Sequence, residues 1–287
     1  MGRSLHFEAP TALEYFASLV ADDASMPLIE AAAAVAQDEY PQLDPQDTLS
    51  RIDSLADRLK RRLPADAGPM QRLRLLNRFF FGELGFAGNV NNYADRRNSY
   101  LSEVLETRRG IPITLALVYI EIASQIGLSA HGIAFPGHFL VKLRMPRGEV
   151  VIDPFSGQSL SREDLDERLA PFRHQRGLVG EFEAPLGLFL QSAPPRDVIA
   201  RLLRNLKELH RSAADWPRLV AVLDRLVILL PQVWEERRDR AVARAALGHH
   251  AAACEDLELY LRHRGEAEDA SELRLRLAEW RTRPRLH

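Results

Sequence analysis

Cysteine is nearly absent from this chain: Cys254 stands alone among 287 residues. A single thiol cannot close an internal disulfide, so stability must come from packing, and neither a zinc ribbon nor CxxC redox chemistry is available. The count by itself leaves a lone thiol nucleophile open. Lysine is also scarce, with only Lys60, Lys142 and Lys207 among 38 basic residues, an arginine bias that reads first as genome composition. Charge of one sign is missing as well. Against 40 acidic side chains the net charge is −2, whereas non-specific nucleic-acid binding needs surplus cations to displace counterions. Long apolar runs are lacking too. Leu226-Val227-Ile228-Leu229-Leu230 is far too short to cross a bilayer, and Met1-Gly2-Arg3-Ser4-Leu5 has no leader-like apolar stretch. These absences predict a cytoplasmic protein with no membrane, nucleic-acid or cofactor partner.

With 46% hydrophobic and 27% charged residues, the composition is that of a globular protein long enough for two compact units. The first hundred residues read as helices. An alanine run, 31–36, lies between Pro27 and Tyr40-Pro41. Asp44-Pro45 then offers an N-cap with proline at the first helical position. Leu49, Ile52, Leu55, Leu59 and Leu63 form an amphipathic stripe, and Met70, Leu73, Leu76, Phe79 and Phe80 a second one ending at Gly82. Residues 87–100, rich in asparagine, read as a loop. After a short helix (101–106), Pro112 opens a strongly apolar helix that stops at Gly127. The period then changes to that of strands over 129–135, 138–145 and 149–153, separated by Pro136-Gly137 and Pro146-Arg147-Gly148, which predicts a small antiparallel sheet.

From about residue 194 the chain is helical again and repeats itself. Ala214-Asp215-Trp216-Pro217-Arg218-Leu219, Leu223, Leu226 and Val227 align with Gly248 through Ala253, Leu257, Tyr260 and Leu261 at an offset of 34, the tetratricopeptide period. Two units (197–264) and a capping helix (266–280) are expected. Stacked helix pairs build grooves suited to peptide segments, so a protein partner is expected here. The predicted division is an N-terminal helical cap packing on the core (1–88), an α+β core (89–193) and an all-α array (194–287).

Within the core, His138 opens a strand and Asp153 ends the next, an arrangement in which an acid orients an imidazole acting on a nucleophile at a helix N-terminus. The stretch Asn98-Ser99-Tyr100-Leu101-Ser102-Glu103-Val104-Leu105-Glu106-Thr107-Arg108-Arg109-Gly110-Ile111-Pro112-Ile113-Thr114, with Phe135-Pro136-Gly137-His138-Phe139-Leu140-Val141 and Asp153-Pro154-Phe155, resembles the SirB-type proteins. In these a transglutaminase-like core is fused to C-terminal tetratricopeptide repeats. The resemblance spans roughly residues 28–280 and implies a papain-like α+β fold and a regulatory role. In active transglutaminase-like enzymes a Gly-x-Cys opens the central helix. Gly110, Ala116 and Gly127 fit that pattern, His138 and Asp153 match the catalytic pair, and the cysteine position falls on Pro112.

Proline carries no ionisable group, so thiol acyl transfer from residue 112 is excluded. Three substitutes are considered: Thr114, which the helical angle turns away from the histidine and which is expected to bond locally; Cys254, expected to pack inside the second repeat; and Ser99. Asn98, Ser99, Tyr100, Arg108, Arg109, Thr114 and Phe135 are the candidate binding surface. For Arg108-Arg109 the choice lies between an anion site at the helix start and a solvated pair or one bridged to Glu103 or Glu106. The favoured expectation is a non-catalytic interaction protein; the alternative is a hydrolase or acyl-transferase in which His138 and Asp153 serve another nucleophile or activate water.

Overall fold

The structure, a computed structural model, describes residues 10–180 and 183–282; the first residues of the chain, read above as lacking a leader, lie outside these. Helix α1 (Ala12–Leu19) opens on a capping box in which Thr11 and Glu14 satisfy each other's backbone N–H. The alanine run forms α2 (Leu28–Ala34) and tightens into a 3₁₀ turn at Val35–Asp38. Asp44 caps α3 (Pro45–Lys60) by accepting from the Gln46 N–H, with Pro45 at the first position as predicted. Helix α4 (Pro69–Asn77) runs on into a π-helical turn (Arg78–Glu83), which buries Phe79 and Phe80. Met70, expected on the same buried stripe, lies in the first turn of α4 and is exposed.

The core follows. β1 (Ala87–Gly88) pairs in parallel with β2 (Arg109–Gly110) around α5 (Leu101–Thr107). The central helix α6 (Pro112–Gln125) buries ten of its residues, among them Leu115, Val118 and Ile122. β3 (Ser129–Ile133), β4 (Leu140–Met145), β5 (Gly148–Asp153) and β6 (Gln158–Leu160) then form an antiparallel meander in chain order. Sequence reasoning did not single out β6, three residues long, or the helices α7 (Arg162–Gln175) and α8 (Leu186–Phe189). The α+β class and small antiparallel sheet are as expected. Helices α9 (Pro195–Ser212), α10 (Trp216–Leu229), α11 (Trp234–Ala246), α12 (His250–His263) and α13 (Ala270–Thr282) complete the chain.

The packing divides the chain into two compact units rather than three segments. One comprises residues 28–36 and 43–202; the other takes the described residues up to 27, residues 37–42, and those from 203 onward. Most of the expected N-terminal cap therefore belongs with the core, but α1 does not. Phe16 of α1 is fully buried in the repeat unit, with the Arg225 guanidinium 5.4 Å from its ring centroid. Arg225 in turn pairs with Asp38, and Arg218 with Glu39. In that unit the 34-residue offset recurs in the backbone. Ala214 (φ 52°) and Gly248 (φ 79°) both adopt the left-handed conformation two residues before the first residues of α10 and α12.

Candidate functional site

The start of α6 is crowded, and the crowding fixes its residues. A Cβ added to Gly110 would lie 2.8 Å from Thr114 Oγ1 and 3.1 Å from Val104 Cγ2, so a larger residue does not fit. Ile111 caps the helix with extended backbone and Pro112 occupies its first position, buried. The place that the resemblance gives to a nucleophilic cysteine thus holds a side chain with no thiol, hydroxyl or N–H. Thr114, fully buried, donates to the Asn98 carbonyl at 2.7 Å and to the Ile111 carbonyl at 3.1 Å. This is the local bonding expected of it, and its hydroxyl is not offered to His138.

Asn98 organises the asparagine-rich segment. Its Nδ2 donates to the carbonyls of Asn92 (2.8 Å) and Tyr93 (3.2 Å), and its Oδ1 accepts from Asn89 Nδ2 (3.0 Å). The segment also contains a 3₁₀ turn at Arg96–Ser99, capped by Asp95.

Strand register brings the acid and the imidazole together. Val141 of β4 pairs with Ile152 of β5, so continuing the two strands places His138 beside Asp153 and Phe155. His138 Nε2 lies 2.8 Å from Asp153 Oδ1, which also accepts from the Phe155 N–H at 2.9 Å. Arg168 of α7 donates to Oδ2 at 3.0 Å. Burial by itself pushes the Asp153 carboxyl up. The hydrogen bond and charge of His138, with the hydrogen bonds from Arg168 and the Phe155 N–H, outweigh it and hold the group well below the usual carboxylate range. An ionised Asp153 accepts from Nε2–H, which leaves Nδ1 as the ring nitrogen not engaged by the acid. Among the described residues His138 hydrogen-bonds through its side chain only to Asp153.

The His138 side chain is 25% exposed and that of Asp153 only 5%. The Phe155 ring stands edge-on to the imidazole at 6.3 Å and contacts Tyr93 at 5.9 Å. A Cβ on Gly88 would fall 2.3 Å from Phe155 ring atoms, so the ring rests directly on that glycine. Tyr93 (57%) and Val90 (78%) are exposed on the adjoining loop.

The candidate binding surface is corrected by burial. Asn98, Ser99, Tyr100, Thr114 and Phe135 are all buried and present no surface. Ser99 Oγ has no hydrogen-bond partner and makes no bond to His138. Phe135 packs with Ile133, Leu140 and Leu165. Arg109 is exposed, but its guanidinium binds the Gly85 and Arg108 carbonyls, at 2.6 and 3.0 Å. The Arg108 guanidinium lies over Phe86, 4.7 Å from the ring centroid, and neither arginine pairs with Glu103 or Glu106. Cys254 is buried among Ala253, Leu257 and Tyr260, and its thiol is pushed up by desolvation. Sequence reasoning missed Arg168 and the rings of Tyr93 and Phe155 as neighbours of the pair. No group of three or more potential metal ligands assembles among the described residues, and no described helix is long and apolar enough to cross a membrane.

In the repeat unit the charges are mutually committed. Arg240 of α11 forks onto Asp256 of α12 (2.6 and 2.7 Å) and reaches Asp224 of α10 at 2.8 Å; Arg244 contacts the same two carboxylates at 2.9 and 3.0 Å. Lys207 bridges Glu236 and Asp239, both at 2.6 Å.

Comparison with known proteins agrees with this architecture. Residues 46–204 match the transglutaminase-like superfamily and residues 206–278 the tetratricopeptide repeat. A UPF0162 protein of Xylella fastidiosa is 40% identical over 243 residues, covering 84% of this chain and 85% of its own length. A UPF0162 protein of Pseudomonas aeruginosa is 33% identical over 189 residues, 66% of each chain, and the UPF0162 protein YchA of Escherichia coli is 28% identical over 239 residues, 82% of this chain and 84% of that one. Among solved structures, that of menin superposes with a TM-score of 0.43 at 14% identity, covering 94% of this chain and 70% of that one, a likeness too distant to bear on function.

Proposed function

The chain belongs to the UPF0162 family, a transglutaminase-like core followed by tetratricopeptide repeats, and from that premise we propose that it is a non-catalytic, regulatory interaction protein of the bacterial cytoplasm. The observation that carries this reading is the buried Pro112 at the first turn of α6, facing chemistry that needs a nucleophile there. The nearby hydroxyl of Thr114 is bonded to backbone carbonyls, and the lone thiol is packed in a repeat helix far along the chain. In this reading the His138–Asp153–Arg168 group ties the start of β4 and the end of β5 to the middle of α7 and offers a partly exposed imidazole for recognition. The repeat helices take a segment of a protein partner, as stacked helix pairs are suited to do.

Affinity capture with the full chain, followed by cross-linking and mass spectrometry, tests the partner. Cross-links between one recurrent protein and residues 203–282 are expected. A partner linked only to residues outside that range, or none recovered, contradicts the proposal.

The intact His138–Asp153 pair favours one second reading, a hydrolase in which His138 Nδ1 takes a proton from water. It requires turnover that disappears in His138→Ala.

A further inference from the structure

Away from the His138 pair, an open cavity of about 210 Å³ is lined by Arg51, Ser54 and Leu55 of α3, Leu105 of α5 and Arg108 at the C-terminal end of α5. Its charges are of one sign. Arg51 reaches only the Ser102 carbonyl, at 3.5 Å. Arg58 follows Arg51 by two helical turns on α3, and its guanidinium lies over Phe79, 5.5 Å from the ring centroid. None of Arg51, Arg58 and Arg108 pairs with a carboxylate among the described residues, in contrast to Arg168 or Arg240. Arg108 is the most constrained of the three. Its Nη1 is buried without a hydrogen-bond partner, and its backbone stands at φ 59°, where glycine rather than arginine is at ease. Burial lowers its hold on its proton, and Arg51 and Arg58 lower it further, with no acid offsetting them.

Arginines converging without a counter-charge are a common way of holding oxyanions. We propose that this cavity is an anion site for the phosphate group of a small phosphate monoester, held between the guanidiniums of Arg108 and Arg51. Arg51 closes it from α3, where the Ser54 hydroxyl donates to the Ser50 carbonyl at 2.9 Å and leaves the anion to the arginines, and Arg58 adds long-range attraction. Leu55 and Leu105 give the remaining wall an apolar character, suited to a small organic group on the ester rather than to a second charge. Guanidinium pairs match a tetrahedral dianion better than a monovalent halide, so selectivity over chloride follows from geometry as well as charge.

The test uses the full chain, titrated calorimetrically with inorganic phosphate and with phenyl phosphate in low-chloride buffer. Saturable one-to-one binding is expected for both probes. Arg51→Gln, on the exposed face of α3, and Arg108→Gln are each expected to weaken it at least tenfold, and added chloride at equal ionic strength to compete poorly. In phosphate-free buffer Arg51→Gln is expected to melt no lower than the natural protein, because it removes a like charge; in phosphate only the natural protein gains thermal stability. Should Arg108→Gln not fold, Arg51→Gln decides alone. No saturable heat at millimolar phosphate, unchanged affinity in Arg51→Gln, or equal competition by chloride overturns the proposal.

Discussion

The Thr114 hydroxyl, buried in the first turn of α6, donates to the Asn98 carbonyl at 2.7 Å. This bond ties the helix that would carry a nucleophile to the asparagine-built loop before it, and commits the hydroxyl to a structural role. Thr114→Val removes the donor and leaves the Asn98 carbonyl with the longer Ile111 N–H bond at 3.4 Å. A loss of about 1–3 kcal/mol is expected by urea denaturation, with Thr114→Ser retaining most of the stability.

Asp153 predicts a pH dependence. Its carboxyl titrates below its ordinary value in the folded protein. The stability it contributes is therefore complete above the unfolded pKa of about 3.9 and fades as the pH falls from there toward the lower folded value. Asp153→Asn is expected to cost roughly 2–3 kcal/mol at pH 7. Denaturation from pH 7 down to pH 3 should show the gap between natural protein and variant narrowing on the acid side. A gap constant across that range would contradict the assignment.

Ala214 and Gly248 share one backbone conformation, 34 residues apart. A left-handed alanine is strained by about 1 kcal/mol relative to glycine. Ala214→Gly is expected to raise stability by up to that amount, and Gly248→Ala to lower it similarly, both read from thermal melts.

The ion cluster of α10, α11 and α12 is satisfied as a whole, so breaking it at its most buried member is costly. Asp256, 2% exposed, holds both Arg240 and Arg244. Asp256→Ala is expected to destabilise by about 3–5 kcal/mol, measured by urea denaturation.

Much of the architecture is legible in the sequence because it rests on local signals. Asp44-Pro45 sets the start of α3, the apolar run after Pro112 sets α6, and the 34-residue offset sets the repeat helices. His138 and Asp153 could be paired from the motif alone, since two short strands joined by a turn leave little choice of register. Arg168 could not be added: its approach to Asp153 depends on the placement of α7, and one more arginine in a charged helix gives no signal. The candidate surface failed for a related reason. Asn98, Ser99 and Thr114 are polar by composition, yet asparagine and threonine side chains that bond to nearby backbone can be buried without penalty. The assignment of α1 likewise depends on Phe16 meeting Arg225, more than 200 positions away, which no local pattern reveals.

Turnover is the most direct measure of the claim that the core is non-catalytic. The full chain is incubated with amide and peptide substrates and a primary-amine acceptor, and products are followed by mass spectrometry for the natural protein and for His138→Ala. The account predicts no hydrolysis or amine incorporation above the buffer rate in either. Turnover by the natural protein that vanishes in His138→Ala would contradict it.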